Sequence, residues 1–140
     1  MPIDAPVDSD FPSRRRAWSV TVLLTFAFVF SFIDRQILNL LVGPIQADLG
    51  LSDTEISLLQ GFAFVSTYVV LSIPLGRLVD TSSRIPVLSA GIAFWSFATM
   101  ACGAARGVSG LFIARAAVGL GEATLTPAGW SLLSDYFPPK

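Results

Sequence analysis

Two pairs of charged residues lie within long apolar stretches of the chain, and their residue types are suited to chemistry. Asp34 and Arg35 are adjacent in the first stretch, and Arg115 and Glu122 are seven positions apart in the fourth. An ionised side chain near the centre of a bilayer costs about 2.5 to 3.5 kcal/mol even on the translocon scale. Side chains retained at that cost bind a polar solute, carry protons or hold helices together.

The stretches that contain these residues are long enough to cross a membrane. Stretches 56–76 and 85–105 contain no charged residue, and the first stretch is charge-free from Ala17 to Ile33. A helix that crosses the hydrocarbon core needs about 20 mainly apolar residues, whereas a barrel strand needs about 10. The sequence therefore predicts an all-α polytopic membrane protein. We expect its four transmembrane helices over residues 17–43, 53–79, 85–105 and 108–134.

Several local signals mark where these helices begin, end or bend. The segment 52–55 is a capping box that starts the second helix, and Gly-Pro at 43–44 ends or bends the first. Pro74 and Pro127 fall within the second and fourth helices and predict kinks there. Small residues in the third and fourth helices predict close helix contacts.

The cations are distributed unevenly between the two sides of the predicted bundle. Residues 1–16 are rich in proline and aspartate and predict a disordered leader, and residues 135–140 begin a further loop. Because Lys and Arg accumulate in cytoplasmic segments, the leader, the loop 80–84 between the second and third helices and the loop that begins at residue 135 are all predicted to be cytoplasmic. The cations on this side are Arg14, Arg15, Arg16, Arg77, Arg84 and Lys140.

The residue inventory excludes most enzyme chemistry. The chain has no histidine, and Cys102 is its only cysteine. Catalytic pairs with histidine, histidine-ligated metals and a disulfide framework are therefore unavailable. We expect no enzyme activity, no metal and no cofactor, and no nucleic-acid signature occurs. An intramembrane aspartyl protease built on Glu122 and Asp34 is the weak alternative, because glutamate replaces the aspartate such enzymes use.

Helix geometry places the charged residues at comparable depths. With a rise of 1.5 Å per residue, Arg115 lies about 10 Å and Glu122 about 21 Å from the outer surface. Asp34 lies about 14 Å from the same surface, between the other two, so we expect a contact between Asp34 and Arg115. In the mechanism that we infer, both carboxylates compete for Arg115, and protonation frees this cation for an anionic substrate. Arg35 is a less favoured ligand, and a purely structural ion-pair network is the alternative.

The segment between the second and third helices carries a recognisable pattern. It resembles the loop signature of the major facilitator superfamily, Gly-x-Leu-x-Asp-Arg-x-Gly-Arg. The matches are at Gly76, Leu78, Asp80 and Arg84, and the differences are at Thr81 and Ser83. The resemblance implies that Gly76, Asp80 and Arg84 form a cytoplasmic gate at the loop 80–84, with Asp80 accepting from Arg84.

Segments 32–36 and 115–123, together with Pro127, look most like the spinster-related branch of that superfamily. This resemblance implies a proton-coupled carrier in a bacterial inner membrane, with lysolipid or sphingosine-phosphate-like amphiphiles as substrates. It also implies that the first and fourth helices line the cavity. Because the family has twelve spans, we expect this chain to supply the first four and to need the remainder of the transporter.

Other classes remain open at this stage. The organic anion:cation symporters carry a similar Asp-Arg and Gly-x-Gly-Glu, which implies small organic anions as the alternative substrates. A four-helix dimer like the small multidrug transporters is less favoured, because it would show little charge bias between its two sides. A membrane scaffold without transport would need an exposed partner surface that the sequence does not display.

Overall fold

The computed structural model describes residues 12–137. Within that range the chain folds into four helical spans, each long and apolar enough to cross a membrane. The all-α prediction is confirmed. Most of the predicted leader, residues 1–11, and the terminal Lys140 lie outside the described residues. The four spans are Arg14–Leu40, Asp53–Thr81, Arg84–Ala104 and Val108–Tyr136, called spans 1 to 4 below.

Span 1 differs from its predicted range at both ends. Its helix α1, Arg14–Leu40, includes the arginine triplet that we assigned to the leader. After Leu41 the chain continues as α2, Val42–Leu49, which ends at Gly50 with a φ of 64°. The break at Leu41 agrees with the predicted Gly-Pro signal, because the Pro44 ring clashes with the carbonyl four residues earlier, that of Leu40. Pro44 itself lies in the first turn of α2, where its missing N–H has no intrahelical partner to lose.

Span 2 begins at the predicted capping box. The Ser52 hydroxyl accepts from the Glu55 backbone N–H at 3.3 Å, and Glu55 accepts from the Ser52 backbone N–H at 2.9 Å. The span consists of α3, Asp53–Ser57, a π-helical turn, Leu58–Phe62, and α4, Ala63–Thr81.

The connection after span 2 is shorter than we predicted. Helix α4 continues to Thr81, and α5, Arg84–Ala104, begins three residues later. The expected loop 80–84 is therefore reduced to two residues between helices. Asp80 belongs to the last turn of α4 rather than to a loop.

Span 4 is interrupted where the sequence predicted a kink. Helix α6, Val108–Glu122, and α7, Leu125–Tyr136, are separated by Ala123 and Thr124. Pro127 accounts for the position of this break, because a proline ring clashes with the carbonyl four residues earlier, here that of Ala123. Pro127 then occupies the first turn of α7, where a proline is tolerated.

Span 4 is the most buried of the four spans and packs against the other three. Its glycines allow this close packing. A Cβ atom on Gly119 would lie 2.5 Å from the Phe64 carbonyl oxygen, and one on Gly121 would lie 2.7 Å from the Cβ of Trp95. The predicted close helix contacts are confirmed, and they hold the charged residues of span 4 against spans 2 and 3.

Candidate functional site

The expected contact between spans 1 and 4 is present. Arg115 Nη1 lies 3.5 Å from Asp34 Oδ2, and the Thr99 hydroxyl donates to Asp34 Oδ1 at 3.2 Å. The side chains of Arg115 and Asp34 are only 5% and 11% exposed. Spans 1, 3 and 4 thus meet at one buried ion pair, which is long enough to be weak as a hydrogen bond.

Glu122 has a different partner from the one that we inferred. Its Oε2 atom accepts from Arg35 Nη2 at 2.6 Å, from Arg35 Nε at 3.0 Å and from the Ser31 hydroxyl at 2.7 Å. Arg35 reaches this position because side chains on a helix lean toward its N-terminus, here toward the level of Ser31 one turn earlier. The two carboxylates therefore do not share Arg115, and each has its own arginine. Arg35, which we ranked low, is the partner of the deeper acid.

An aromatic ring lies between the two arginines. The guanidinium carbon of Arg35 is 5.1 Å from the centre of the Phe64 ring, and that of Arg115 is 5.2 Å from it. Arg35 is also 5.6 Å from the ring centre of Tyr68, which stacks on Phe64. All three distances are within the range of cation–π attraction. The Tyr68 hydroxyl is held 3.0 Å from that of Thr126.

The reasoning from sequence missed Ser31, Phe64, Tyr68 and Thr99. For three of them, Ser31, Phe64 and Tyr68, the spacing in the sequence was an available signal. Ser31 precedes Arg35 by four residues, and Phe64 precedes Tyr68 by four, so each pair shares one helix face. No such spacing relates Thr99 to Asp34, because they lie on different helices.

Two features of the Arg35–Glu122 pair leave it chemically open. Glu122 is fully buried, yet the Arg35 side chain is 44% exposed. Glu122 Oε1 is buried without a hydrogen-bond partner among residues 12–137, and so is Arg115 Nε. Because buried polar atoms are nearly always satisfied, Oε1 is open to a proton or to a further hydrogen-bond donor. The exposed guanidinium can bind an anion as well as its internal carboxylate.

The Asp34–Arg115 pair faces a separate cavity of about 330 Å³. Asp34, Asp48, Thr99 and Arg115 supply polar groups to this cavity, and Cys102 also lines it. Its other walls are mainly aliphatic side chains of α1, α2 and α6. The two ion pairs therefore lie in different surroundings, one beside a small cavity and the other beside an exposed cation.

The residues Gly76, Asp80 and Arg84 are not arranged as the resemblance to the loop signature implied. Arg84 forms its ion pair with Asp135 in the last turns of α7, and not with Asp80. Arg84 is the first residue of α5, so it lies opposite the end of span 4, while Asp80 is exposed at the end of α4. A Cβ atom on Gly76 would meet Pro127 only at 4.0 Å, an ordinary contact, so packing alone does not require glycine here.

Comparison with known families agrees with this architecture. The model of the Major Facilitator Superfamily matches residues 24–140. The chain belongs to this superfamily. It is an integral membrane protein of a family of transporters rather than enzymes.

Curated relatives align over almost all of the chain. An MFS-type efflux pump of Mycolicibacterium smegmatis is 33% identical over 97% of this chain and 32% of its own length. A probable L-galactonate transporter of Escherichia coli is 31% identical over 100% of this chain and 31% of its own length. The probable anion transporter 4 of Oryza sativa, a chloroplastic protein, is 30% identical over 96% of this chain and 22% of its own length. The chain thus spans about a third or less of these relatives, and no solved structure matches it.

Proposed function

We propose that this chain forms part of a proton-coupled transporter of organic anions that works by alternating access. The observation that carries the proposal is the pairing of a half-exposed Arg35 with a fully buried Glu122. The family supplies the transport class, and relatives named as galactonate and anion transporters favour an anionic solute.

Arg35 is the group that we assign to anion binding. Its Nε and Nη2 atoms are engaged with Glu122, and the exposed part of its guanidinium has further donors for a carboxylate. Because Glu122 and Ser31 occupy the N–H groups of Nε and Nη2, only Nη1 is left while Glu122 is ionised. The two-pronged geometry in which a guanidinium binds a carboxylate becomes available when Glu122 releases Arg35. The rings of Phe64 and Tyr68 hold this group in place through cation–π contacts.

Glu122 is the group that we assign to proton coupling. While it is ionised, it satisfies the charge of Arg35 internally and competes with an external anion. A proton on Oε1 would remove that negative charge and leave the guanidinium free to pair with the solute. Proton and anion binding would then favour one another, which is the requirement for symport. Asp34 and Arg115 are proposed to form a second unit with the same logic.

The direction of the chain across the membrane is also part of the proposal. We place the chain in a bacterial cell membrane with its N-terminus in the cytoplasm. The arginines at the start of α1 and at the connection between spans 2 and 3 lie at the same end of the bundle, and Lys and Arg accumulate in cytoplasmic segments. Gly76, Asp80, Arg84 and its partner Asp135 then form the cytoplasmic end of the bundle, where a gate is needed.

The alternative substrate class, lysolipid or sphingosine-phosphate-like amphiphiles, rests on the resemblance to the spinster-related branch. An anionic head group would use the same guanidinium, so Arg35 alone does not distinguish the two classes. The relatives named above favour the small organic anion. Both classes belong in the test.

The test uses proteoliposomes that contain the full polypeptide carrying this sequence. Uptake of galactonate and of a lysophosphatidate is measured with and without an imposed pH gradient. We expect galactonate uptake that follows the gradient and is abolished by Arg35→Gln. Arg16→Gln, an exposed arginine in the same helix, is the matched control and should transport normally. Unchanged uptake by a folded Arg35→Gln protein would contradict the proposal, and pH-driven uptake of the lysophosphatidate alone would favour the amphiphile.

A further inference from the structure

Three amide side chains, those of Gln36, Asn39 and Gln60, lie together one turn from Arg35, and they are called the amide cluster here. Asn39 donates from Nδ2 to Gln36 Oε1 at 2.9 Å, and Gln60 donates from Nε2 to Asn39 Oδ1 at 3.2 Å. The cluster joins span 1 to span 2. It plays no part in either carboxylate–arginine pair.

The cluster lies one turn beyond Arg35 on α1 and beside the start of α4 on span 2. Asn39 follows Arg35 by four residues in α1, so both lie on one face of that helix. On span 2, Gln60 lies in the π-helical turn that directly precedes α4, and Phe64, the second residue of α4, contacts the Arg35 guanidinium. The amide cluster is therefore the next layer along the same face toward the end of the bundle formed by α2 and α3.

The π-helical turn of span 2 supports a functional reading of Gln60. Gln60 is the middle residue of this turn, Leu58–Phe62, and it is half-buried while its neighbour Leu59 is fully buried. Turns of this kind change which residues share a helix face and are frequent at functional sites. Here the turn lies one layer from Arg35.

The cluster still has hydrogen-bonding capacity. Gln36 and Asn39 are exposed. Among the described residues, the Gln36 amide nitrogen and the Gln60 amide oxygen make no hydrogen bond. A free amide nitrogen and a free amide oxygen together can donate to and accept from a hydroxyl group.

We propose that the amide cluster is a binding subsite for the hydroxyl groups of a solute whose carboxylate binds Arg35. This inference rests on the proposed function and narrows its substrate to hydroxylated carboxylates of sugar-acid type. Arg35 and Asn39 are one turn apart on α1, and both side chains lean toward the N-terminus of that helix, so the two subsites are separated by roughly one turn, about 6 Å. An extended sugar acid can bridge this distance, whereas a short acid without hydroxyls would use Arg35 alone.

The experiment compares two probes that differ in their hydroxyl groups. Galactonate and hexanoate have the same charge and a similar length, and each is tested as a competitor and as a counterflow substrate in proteoliposomes of the full polypeptide. Gln60→Met and Asn39→Leu remove the amides with little change in size. Gln46→Met is the matched control, because Gln46 lies in α2 and bonds instead to Asp53 at 2.8 Å.

We expect the native protein to prefer galactonate over hexanoate, and each amide variant to lower galactonate affinity about tenfold while hexanoate affinity stays constant. Equal affinity for both probes in the native protein would overturn the subsite but leave organic anion transport standing. If the variants lose affinity for both probes, the subsite is also overturned, because the amides would then only hold spans 1 and 2 together. Absence of any anion exchange by the native protein would refute the proposed function itself.

Discussion

Replacing Glu122 by glutamine tests the coupling role most directly. Glutamine keeps the shape of the side chain and an oxygen that can accept from Arg35 and Ser31, but it cannot release a proton. The perturbation therefore removes the titratable group while it preserves the local packing around a fully buried position. This separates a proton-coupling role from a purely structural role for the pair.

The expected loss of stability is small. A hydrogen bond to a charged group contributes about 1.5 to 3 kcal/mol, and a neutral one about 0.5 to 1.5 kcal/mol. The bonds to Glu122 Oε2 would be weakened rather than lost, and the Arg35 side chain, which is 44% exposed, is not a fully buried charge. We therefore expect Glu122→Gln to lower the free energy of unfolding by about 1 to 2 kcal/mol, which leaves the protein folded.

The expected effect on transport is large. One pH unit across the membrane corresponds to about 1.4 kcal/mol per proton, which drives at most about tenfold accumulation of a solute carried with one proton. If Glu122 carries that proton, the variant should equilibrate the solute without accumulating it. Exchange of internal for external solute should continue, because it needs no net proton movement.

The assay measures accumulation and counterflow in the same proteoliposomes. Glu55→Gln is a matched control, because glutamine at this position also completes a capping box with Ser52. The control should accumulate solute as the native protein does. If Glu122→Gln still accumulates solute in response to the pH gradient, Glu122 does not carry the coupling proton. If it transports normally and is only less stable, the structural ion-pair network is the correct account.

Two further predictions concern packing and the gate. Gly119→Ala should lower the free energy of unfolding by about 1 to 3 kcal/mol, because its Cβ would meet backbone and side-chain atoms of span 2. Gly103→Ala is the control and should be neutral, because a Cβ there has nothing within 4 Å. Equal shifts in the melting temperature of the two variants would contradict the packing argument. Arg84→Gln should lower the free energy of unfolding, measured by denaturation, by less than about 1 kcal/mol, because both Arg84 and Asp135 are partly exposed. A larger loss would show that this pair contributes more stability than a surface ion pair does.

The sequence predicted those features that depend on distance along a helix. The four spans follow from the length of the apolar stretches, and the Asp34–Arg115 contact follows from depths counted at a fixed rise per residue. The capping box at Ser52 was also predictable, because its two hydrogen bonds lie within one turn of chain. The ends of the helices were less accurate, since the arginines before Ala17 can continue a helix beyond the apolar stretch.

The partner of Glu122 was not predictable by the same argument, because depth does not give the direction of a long side chain. Arg35 and Asp34 are neighbours in sequence but point to different sides of α1, and Arg35 then leans back to Glu122. We expected one arginine, Arg115, to exchange between the two acids, whereas the structure has two separate ion pairs. The Phe64 ring contacts both cations, at 5.1 and 5.2 Å, so any influence of one pair on the other can pass through this ring without an exchange of partners.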